Sequence, residues 1–238
     1  MKTLKATWMK GPKPGNLGDI LNPFLMKKVG INPSYVLHTS SKKFISIGSI
    51  AKFIRPGDVV WGTGIMRQSD PIETNAKYLA VRGPLTGDKV NCNIYGDPAL
   101  LASKFWPMEN TNEFDLGFIP HYVDYKKVDT QHYNQIDLIN GNPISVIKEM
   151  NRYSTLISTS LHGIILAHAY GIPCGWWKPS NKLSGDGSKF KDYAESVGII
   201  LKPETDFKKV KLVLPKKSNI DKVNENLIKV VKQYLNEV

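Results

Sequence analysis

The sequence predicts an α/β protein, and three observations carry that prediction. Short apolar or β-branched runs alternate with segments of helical periodicity, the pattern of parallel sheets covered by helices. The alternation occurs twice, on either side of the polar stretch Phe105 to Glu113, which reads as a join between two halves. At 238 residues the chain can form one large domain or two of roughly 100 residues each.

In the first half, Leu4 to Trp8, Phe44 to Ile47, Val59 to Trp61 and Tyr78 to Val81 read as buried strands, each closed by Gly, Pro or a polar turn. Asn22-Pro23 marks a helix start, because Asn accepts from a free backbone N–H and Pro needs no donor at the first helical position. That helix is expected from Pro23 to about Val29, with Gly11 to Asp19 as the loop ahead of it. In the second half, strands are expected at Phe114 to Ile119, Thr155 to Ser158 and Pro173 to Trp177, and helices at Ile144 to Met150 and Leu161 to Tyr170. Lys178 to Ser188 is too polar and glycine-rich to pack and reads as a mobile surface loop. Phe190, Tyr193, Ala194 and Val197 recur at helical spacing before Gly198, a suitable terminator. From Ser218 onward, Ile220, Val223, Leu227, Val230, Val231 and Tyr234 share one face, predicting a final amphipathic helix packed on the body. The division that follows is 1–108, 109–217 and a terminal helix over 218–238.

With 41% hydrophobic and 22% charged residues, the composition excludes a disordered or fibrous chain. A formal charge of +11 draws anions: nucleic acid, anionic lipid, or a phosphorylated or carboxylated substrate. The lysines are scattered, so a general lysine bias accounts for the charge equally well, and no block of consecutive basic residues marks a nucleic-acid tail. Cys92 and Cys174 are too few for a disulfide framework and suit a reducing cytoplasm. Met1 to Lys10 lacks the apolar core of a signal peptide, and no apolar run reaches the roughly 18 residues of a bilayer span. A soluble cytoplasmic protein is expected, with a basic face able to rest on the inner side of a membrane.

Several polar groups fall where strands end. Gly15-Asn16-Leu17-Gly18-Asp19 lets backbone N–H groups approach an anion near a helix N-terminus, although a tight turn explains the glycines at least as well. Trp61-Gly62-Thr63-Gly64 follows a strand, where open α/β sheets place their ligand crevice, and a plain strand-ending turn explains it nearly as well. Arg82, next to Gly83, offers a planar fork for a carboxylate or phosphate. Asp97 before Pro98 favours a turn role over acid catalysis. His121 ends a strand and either shuttles a proton or stacks on Tyr122. Ser158-Thr159-Ser160-Leu161-His162-Gly163 is the richest segment. Ser158 or Ser160 can cap the following helix, whose free N–H groups suit a phosphate, and the lack of a G-x-S-x-G elbow argues against a hydrolase. His168 reads as a core residue. His38, His121, His132, His162 and His168 form no close ligand pair, so no metal is expected.

Taken in order, Gly-Asn-Leu-Gly-Asp-Ile-Leu-Asn from Gly15, Trp-Gly-Thr-Gly from Trp61, Val-Arg-Gly-Pro-Leu-Thr from Val81, Tyr-Gly-Asp-Pro-Ala-Leu-Leu from Tyr95, Ile-Pro-His-Tyr from Ile119, Ser-Thr-Ser-Leu-His-Gly from Ser158 and Lys-Phe-Lys-Asp-Tyr from Lys189 resemble the polysaccharide pyruvyltransferase family. The resemblance covers most of the chain. It implies two Rossmann-like lobes in a GT-B-like arrangement, phosphoenolpyruvate as donor in the cleft, a glycan or lipid-linked sugar diol as acceptor, and a cyclic pyruvate ketal as product, with no cofactor and no nucleic-acid partner. It implies Arg82 and His162 near the donor, with His162 and then His121 as acid/base candidates. Substrate contacts would come from Asn16, Gly18, Asp19, Gly62, Thr63, Gly64, Ser160, Leu161 and Gly163. Many relatives carry Arg immediately before Leu-His-Gly, where this chain has Ser160, and the chain is short for the family. The competing readings are a GT-B glycosyltransferase using a nucleotide sugar, whose diphosphate would suit the same helix ends, and a non-enzymatic basic α/β module that binds polyanions or RNA.

Overall fold

The computed structural model of the chain describes residues 1–125 and 134–238. Among them are two sheets and seven α-helices, a mixed α/β protein. The first sheet comprises Lys2–Thr7 (β1), Ile31–Tyr35 (β2), Phe44–Ile45 (β3), Val59–Trp61 (β4) and Lys77–Ala80 (β5), in the order β2-β1-β3-β4-β5. The second comprises Phe114–Ile119 (β6), Asn134–Gln135 (β7), Tyr153–Ser158 (β8) and Cys174–Trp176 (β9), in the order β7-β6-β8-β9. Their pairings are parallel, so the carboxyl ends of neighbouring strands share an edge, where polar turns can gather without interrupting a ladder.

The helices are Leu17–Lys28 (α1), Pro84–Gly87 (α2), Ala102–Phe105 (α3), Pro143–Met150 (α4), Leu161–Ala169 (α5), Ser188–Ser196 (α6) and Lys217–Glu237 (α7). The helix expected to begin at Pro23 begins six residues earlier, and Pro23 lies inside it. Proline there deprives the Asp19 carbonyl of its usual i+4 donor. The Asn22 amide supplies the replacement, donating to Asp19 O at 3.2 Å as well as to Gly18 O at 3.3 Å and Ile47 O at 3.2 Å. Asn22 therefore repairs the helix rather than starting it, and Gly18 and Asp19 belong to its first turn rather than to a loop. β2 has no counterpart in the sequence reading and carries Pro33, which as part of an edge strand can leave its missing donor unpaired.

α5 is apolar all round and buried at Leu161, Ile164, Ile165, Leu166 and Ala167, as a helix with no solvent face must be. It packs on β8 and β9 on one side and on the Pro98–Leu101 turn and α3 on the other, joining the two halves through one core. α1 packs on the same turn and on α4, so the N-termini of α1 and α5 come together. α7 has the expected apolar face, with Ile220, Val223, Leu227, Val231 and Tyr234 buried. It returns to the first sheet, where the Trp61 indole N–H donates to Leu227 O at 3.0 Å. Leu227 and Val231 are fully buried, each worth roughly 1.5–3 kcal/mol relative to exposure.

Candidate active site

His162 lies in the first turn of α5 directly over Gly18 in the first turn of α1. A Cβ on Gly18 would stand 2.5 Å from His162 Cε1 and closer still to Nδ1 and Cγ, so only glycine admits the ring. Strand-end hydroxyls fix α5 in this position. Ser158 Oγ accepts from Ser160 N–H at 2.9 Å and lies 2.9 Å from Ile119 O, to which it can donate. Thr159 Oγ1 accepts from His121 N–H at 2.6 Å, tying the end of β6 to the end of β8. Gly163 has no room for a Cβ, which would stand 2.5 Å from Ser158 Oγ. Ser160 occupies the N-cap position, but its side chain does not cap the helix, contrary to the expectation of a serine cap. Ser158, two residues further back, has already tied up the Ser160 N–H. Among the described residues, the first-turn N–H groups of Leu161, His162 and Gly163 have no partner, and neither does the buried Nε2 of His162. Three free donors and the positive end of the helix dipole are suited to an anion.

The surrounding charge is positive. His162 is held down to about 3, by burial first and then by the charges of Arg82, Lys189 and His121. His121 is held down to about 4 by burial and Lys189. Both imidazoles are thus neutral at physiological pH. Lys189, in the first turn of α6, is 7% exposed and has no ion-pair or hydrogen-bond partner among the described residues. Burial, Arg82 and Arg67 depress it to about 8. Its ammonium lies 5.4 Å from the centre of the Phe190 ring and carries no counter-ion, so it is available to an anion. Lys189 was not singled out as a site residue in the sequence, although it opens the Lys-Phe-Lys-Asp-Tyr motif, because nothing local marks a lysine on a helix face as buried.

Arg82 is fully buried, and most of its donors are engaged. Nε donates to Asp192 Oδ2 at 3.1 Å, one terminal nitrogen to Ser49 Oγ at 2.7 Å, and the other to Ile65 O at 2.5 Å and Asp192 Oδ2 at 3.0 Å. Asp192 also accepts from Thr86 N–H at 3.0 Å and Thr86 Oγ1 at 2.7 Å. This network fastens α6 to α2. Gly83 makes it possible, because a Cβ there would overlap the Asp192 carbonyl. Arg82 therefore acts on the site by its field and by holding α6, and with it Lys189, in place.

The other predicted site residues are placed as follows. Gly64 leaves space filled by the Arg82 guanidinium, 2.5 Å from where its Cβ would be, while Gly62 is backed by Pro98 and the Gly96 carbonyl. Thr63 donates to Gly48 O at 2.7 Å. These three shape the floor around Arg82. Asn16 donates to Asp19 Oδ2 at 3.1 Å, and burial outweighs that bond, raising the Asp19 carboxyl to about 6. The Gly15 to Leu17 backbone is bonded to Leu138 and Asn140 of the second half, through Leu17 N–H to Leu138 O at 2.8 Å and Asn140 N–H to Gly15 O at 2.9 Å. Asp97 caps its turn through Ala99 N–H at 2.9 Å, in keeping with a turn role. The His121 ring lies against Tyr122 with centroids 4.3 Å apart, but the planes are tilted by 34° rather than stacked. His168 is a core residue, its ring nitrogens 2.9 Å from Tyr193 OH and 3.0 Å from Val213 O. Among the described residues no group of His, Cys, Asp or Glu could hold a metal; His132 lies outside them.

A family model for polysaccharide pyruvyl transferase matches residues 30–176. That span includes Arg82, His121 and His162, and leaves Gly18 and Lys189 outside. The chain is 33% identical over 209 residues to an uncharacterized protein of Acanthamoeba polyphaga mimivirus, covering 79% of this chain and 72% of that protein. It is 29% identical over 210 residues to the succinoglycan biosynthesis protein ExoV of Rhizobium meliloti (strain 1021), covering 79% of this chain and 64% of ExoV, less than two thirds of its length. No solved structure matches the chain significantly.

Proposed function

The chain belongs to the polysaccharide pyruvyl transferase family, and on that premise we propose that it joins the pyruvyl group of phosphoenolpyruvate to two hydroxyls of a sugar in a polysaccharide or its precursor, closing a cyclic ketal. The halves carrying the two sheets act as GT-B-like lobes meeting near residues 108 and 109, with the donor at the α1–α5 junction. The observation that supports this reading best is the His162 ring, whose buried Nε2 has no partner, at the uncapped α5 N-terminus and in the field of Arg82 and Lys189. Phosphoenolpyruvate carries a carboxylate and a phosphate, and it supplies the negative charge that this group of donors lacks.

The chemistry needs a proton on the methylene carbon, which becomes the methyl group and leaves C2 electron-poor. A sugar hydroxyl then attacks C2 and loses its proton. The C2–O bond to phosphate breaks, inorganic phosphate departs, and the second hydroxyl attacks and loses its proton to complete the ketal. His162, neutral in the free protein, is suited to take a hydroxyl proton. The donor's negative charge offsets the field of Lys189 and Arg82 and raises the imidazole's affinity for a proton, so in the complex the ring binds one from solvent, delivers it to the methylene carbon, and is then free to take the proton of the attacking hydroxyl. His121 is the second candidate. The α5 N–H groups and Lys189 stabilise the phosphate as negative charge gathers on it.

The test combines phosphoenolpyruvate with candidate glycans and follows phosphate release together with the mass gained by the sugar. His162→Ala is expected to cut turnover by about 100-fold or more. Near-normal turnover would remove His162 from the mechanism, and release of a nucleotide from a nucleotide sugar in place of phosphate would replace the reaction itself.

A further inference from the structure

The net charge of +11 is not used up by the site, and one exposed segment concentrates it. Between residues 208 and 217 the chain reads Lys-Lys-Val-Lys-Leu-Val-Leu-Pro-Lys-Lys, with no acidic residue. Lys208, Lys209, Lys211, Lys216 and Lys217 are all exposed. Lys209 and Lys217 have carboxylate partners in Asp206 and Asp221, whereas Lys208, Lys211 and Lys216 have no ion-pair partner among the described residues. Between these lysines, Leu212 is 40% exposed and Leu214 44%.

The backbone holds the two leucines outward. Val213 forms an antiparallel bridge with Cys174 at the edge of the second sheet, its N–H donating to Cys174 O at 3.2 Å and its carbonyl accepting from Cys174 N–H at 3.0 Å. In an extended chain the residues on either side of Val213 share the opposite face. Leu212 and Leu214 are thus displayed together, framed by lysines.

We propose that this strap seats the protein on an anionic lipid bilayer, with the leucines entering the headgroup boundary and the lysines meeting lipid phosphates. Lysines alone would suit any polyanion, but paired exposed leucines gain nothing from a nucleic acid and do gain from the edge of a hydrocarbon layer. The segment also offers no platform for stacking bases, because the adjacent aromatic, Phe207, packs inward on Trp177 and Phe118 at ring distances of 5.0 and 6.0 Å. Among the described residues no helix is long and apolar enough to cross a membrane, so the contact is peripheral. The proposal stands independently of the reaction assigned to the active site.

The experiment is co-sedimentation of the full chain with phosphatidylcholine vesicles, with and without phosphatidylglycerol, at low and high salt. Two variants accompany it, Lys208→Gln/Lys211→Gln/Lys216→Gln and Leu212→Ser/Leu214→Ser, each checked by thermal melting and by phosphoenolpyruvate binding. The wild type should bind only the anionic vesicles and be released by salt. The lysine variant should bind roughly tenfold or more weakly, and the leucine variant several-fold more weakly. Absence of binding at low salt overturns the proposal, as does wild-type binding by either variant. A leucine variant that still binds vesicles and polyuridylate as the wild type does would show a general polyanion contact instead.

Discussion

Replacing Gly18 with alanine should separate folding from chemistry. The new methyl carbon would lie 2.5 Å from His162 Cε1 and closer still to Cγ and Nδ1, and carbon–carbon contacts settle near about 3.5 Å, so the ring must withdraw by at least about 1 Å. Gly18 is helical and has no left-handed backbone angle to lose, so alanine gains about 1 kcal/mol in helix propensity. Overpacking against a ring costs about 1–3 kcal/mol, leaving a net loss of about 2 kcal/mol or less. A reacting group displaced by about 1 Å loses on the order of 100-fold in rate. The assays are urea denaturation for stability and phosphate release from phosphoenolpyruvate with an accepted glycan for turnover, repeated in Gly18→Ala/His162→Ala. The double variant should recover the stability lost to the clash, because the methyl group then meets no ring. Wild-type turnover in Gly18→Ala would refute the idea that the ring's position over α1 matters to the reaction.

Four further outcomes follow from the same geometry. Lys189→Met should weaken phosphoenolpyruvate binding by about tenfold or more, measured by calorimetry, with little change in melting temperature, because it breaks no ion pair or hydrogen bond among the described residues. In the wild type that affinity should decline as pH rises through about 8, where Lys189 loses its proton. Asp192→Ala should cost about 3–5 kcal/mol in urea denaturation, because it leaves the fully buried Arg82 without its carboxylate. Finally, His168 is ordinarily protonated below 6.5 but is held down to about 4 by burial. The unfolded chain therefore binds its proton first, and up to about 3 kcal/mol of stability is lost as pH falls from 6.5 toward 4. His121 and His162 add to that loss, whereas Asp19 and Asp97, both raised to about 6, oppose it. A comparison of pH–stability slopes between wild type and His168→Gln isolates the one group, and equal slopes would contradict it.

The strand–helix rhythm was legible because burial on both faces forces short apolar runs, and β4 and β6 fall where those runs lie. The start of α1 was not legible. Asn22 and Pro23 are locally a start signal, and only the backbone shows the Asn22 amide repairing the gap that proline leaves. At the site, the His162 motif could be seen in one stretch of sequence, whereas its placement over Gly18 joins residues 144 positions apart. Arg82 was read as a free cation because Asp192, 110 residues away, could not be known to claim it. Lys189 escaped notice for the same reason: burial of a helical lysine is set by its neighbours in space.

The return of α7 to the first sheet limits how the molecule can breathe. The polypeptide crosses from one sheet to the other after α3 and crosses back before Lys217, and the Trp61–Leu227 bond anchors the far end. Two plates are thereby stitched at two places instead of one, the second stitch being α7 itself. Before that second tie could let go, Leu227 and Val231 would have to leave the core in which both are fully buried.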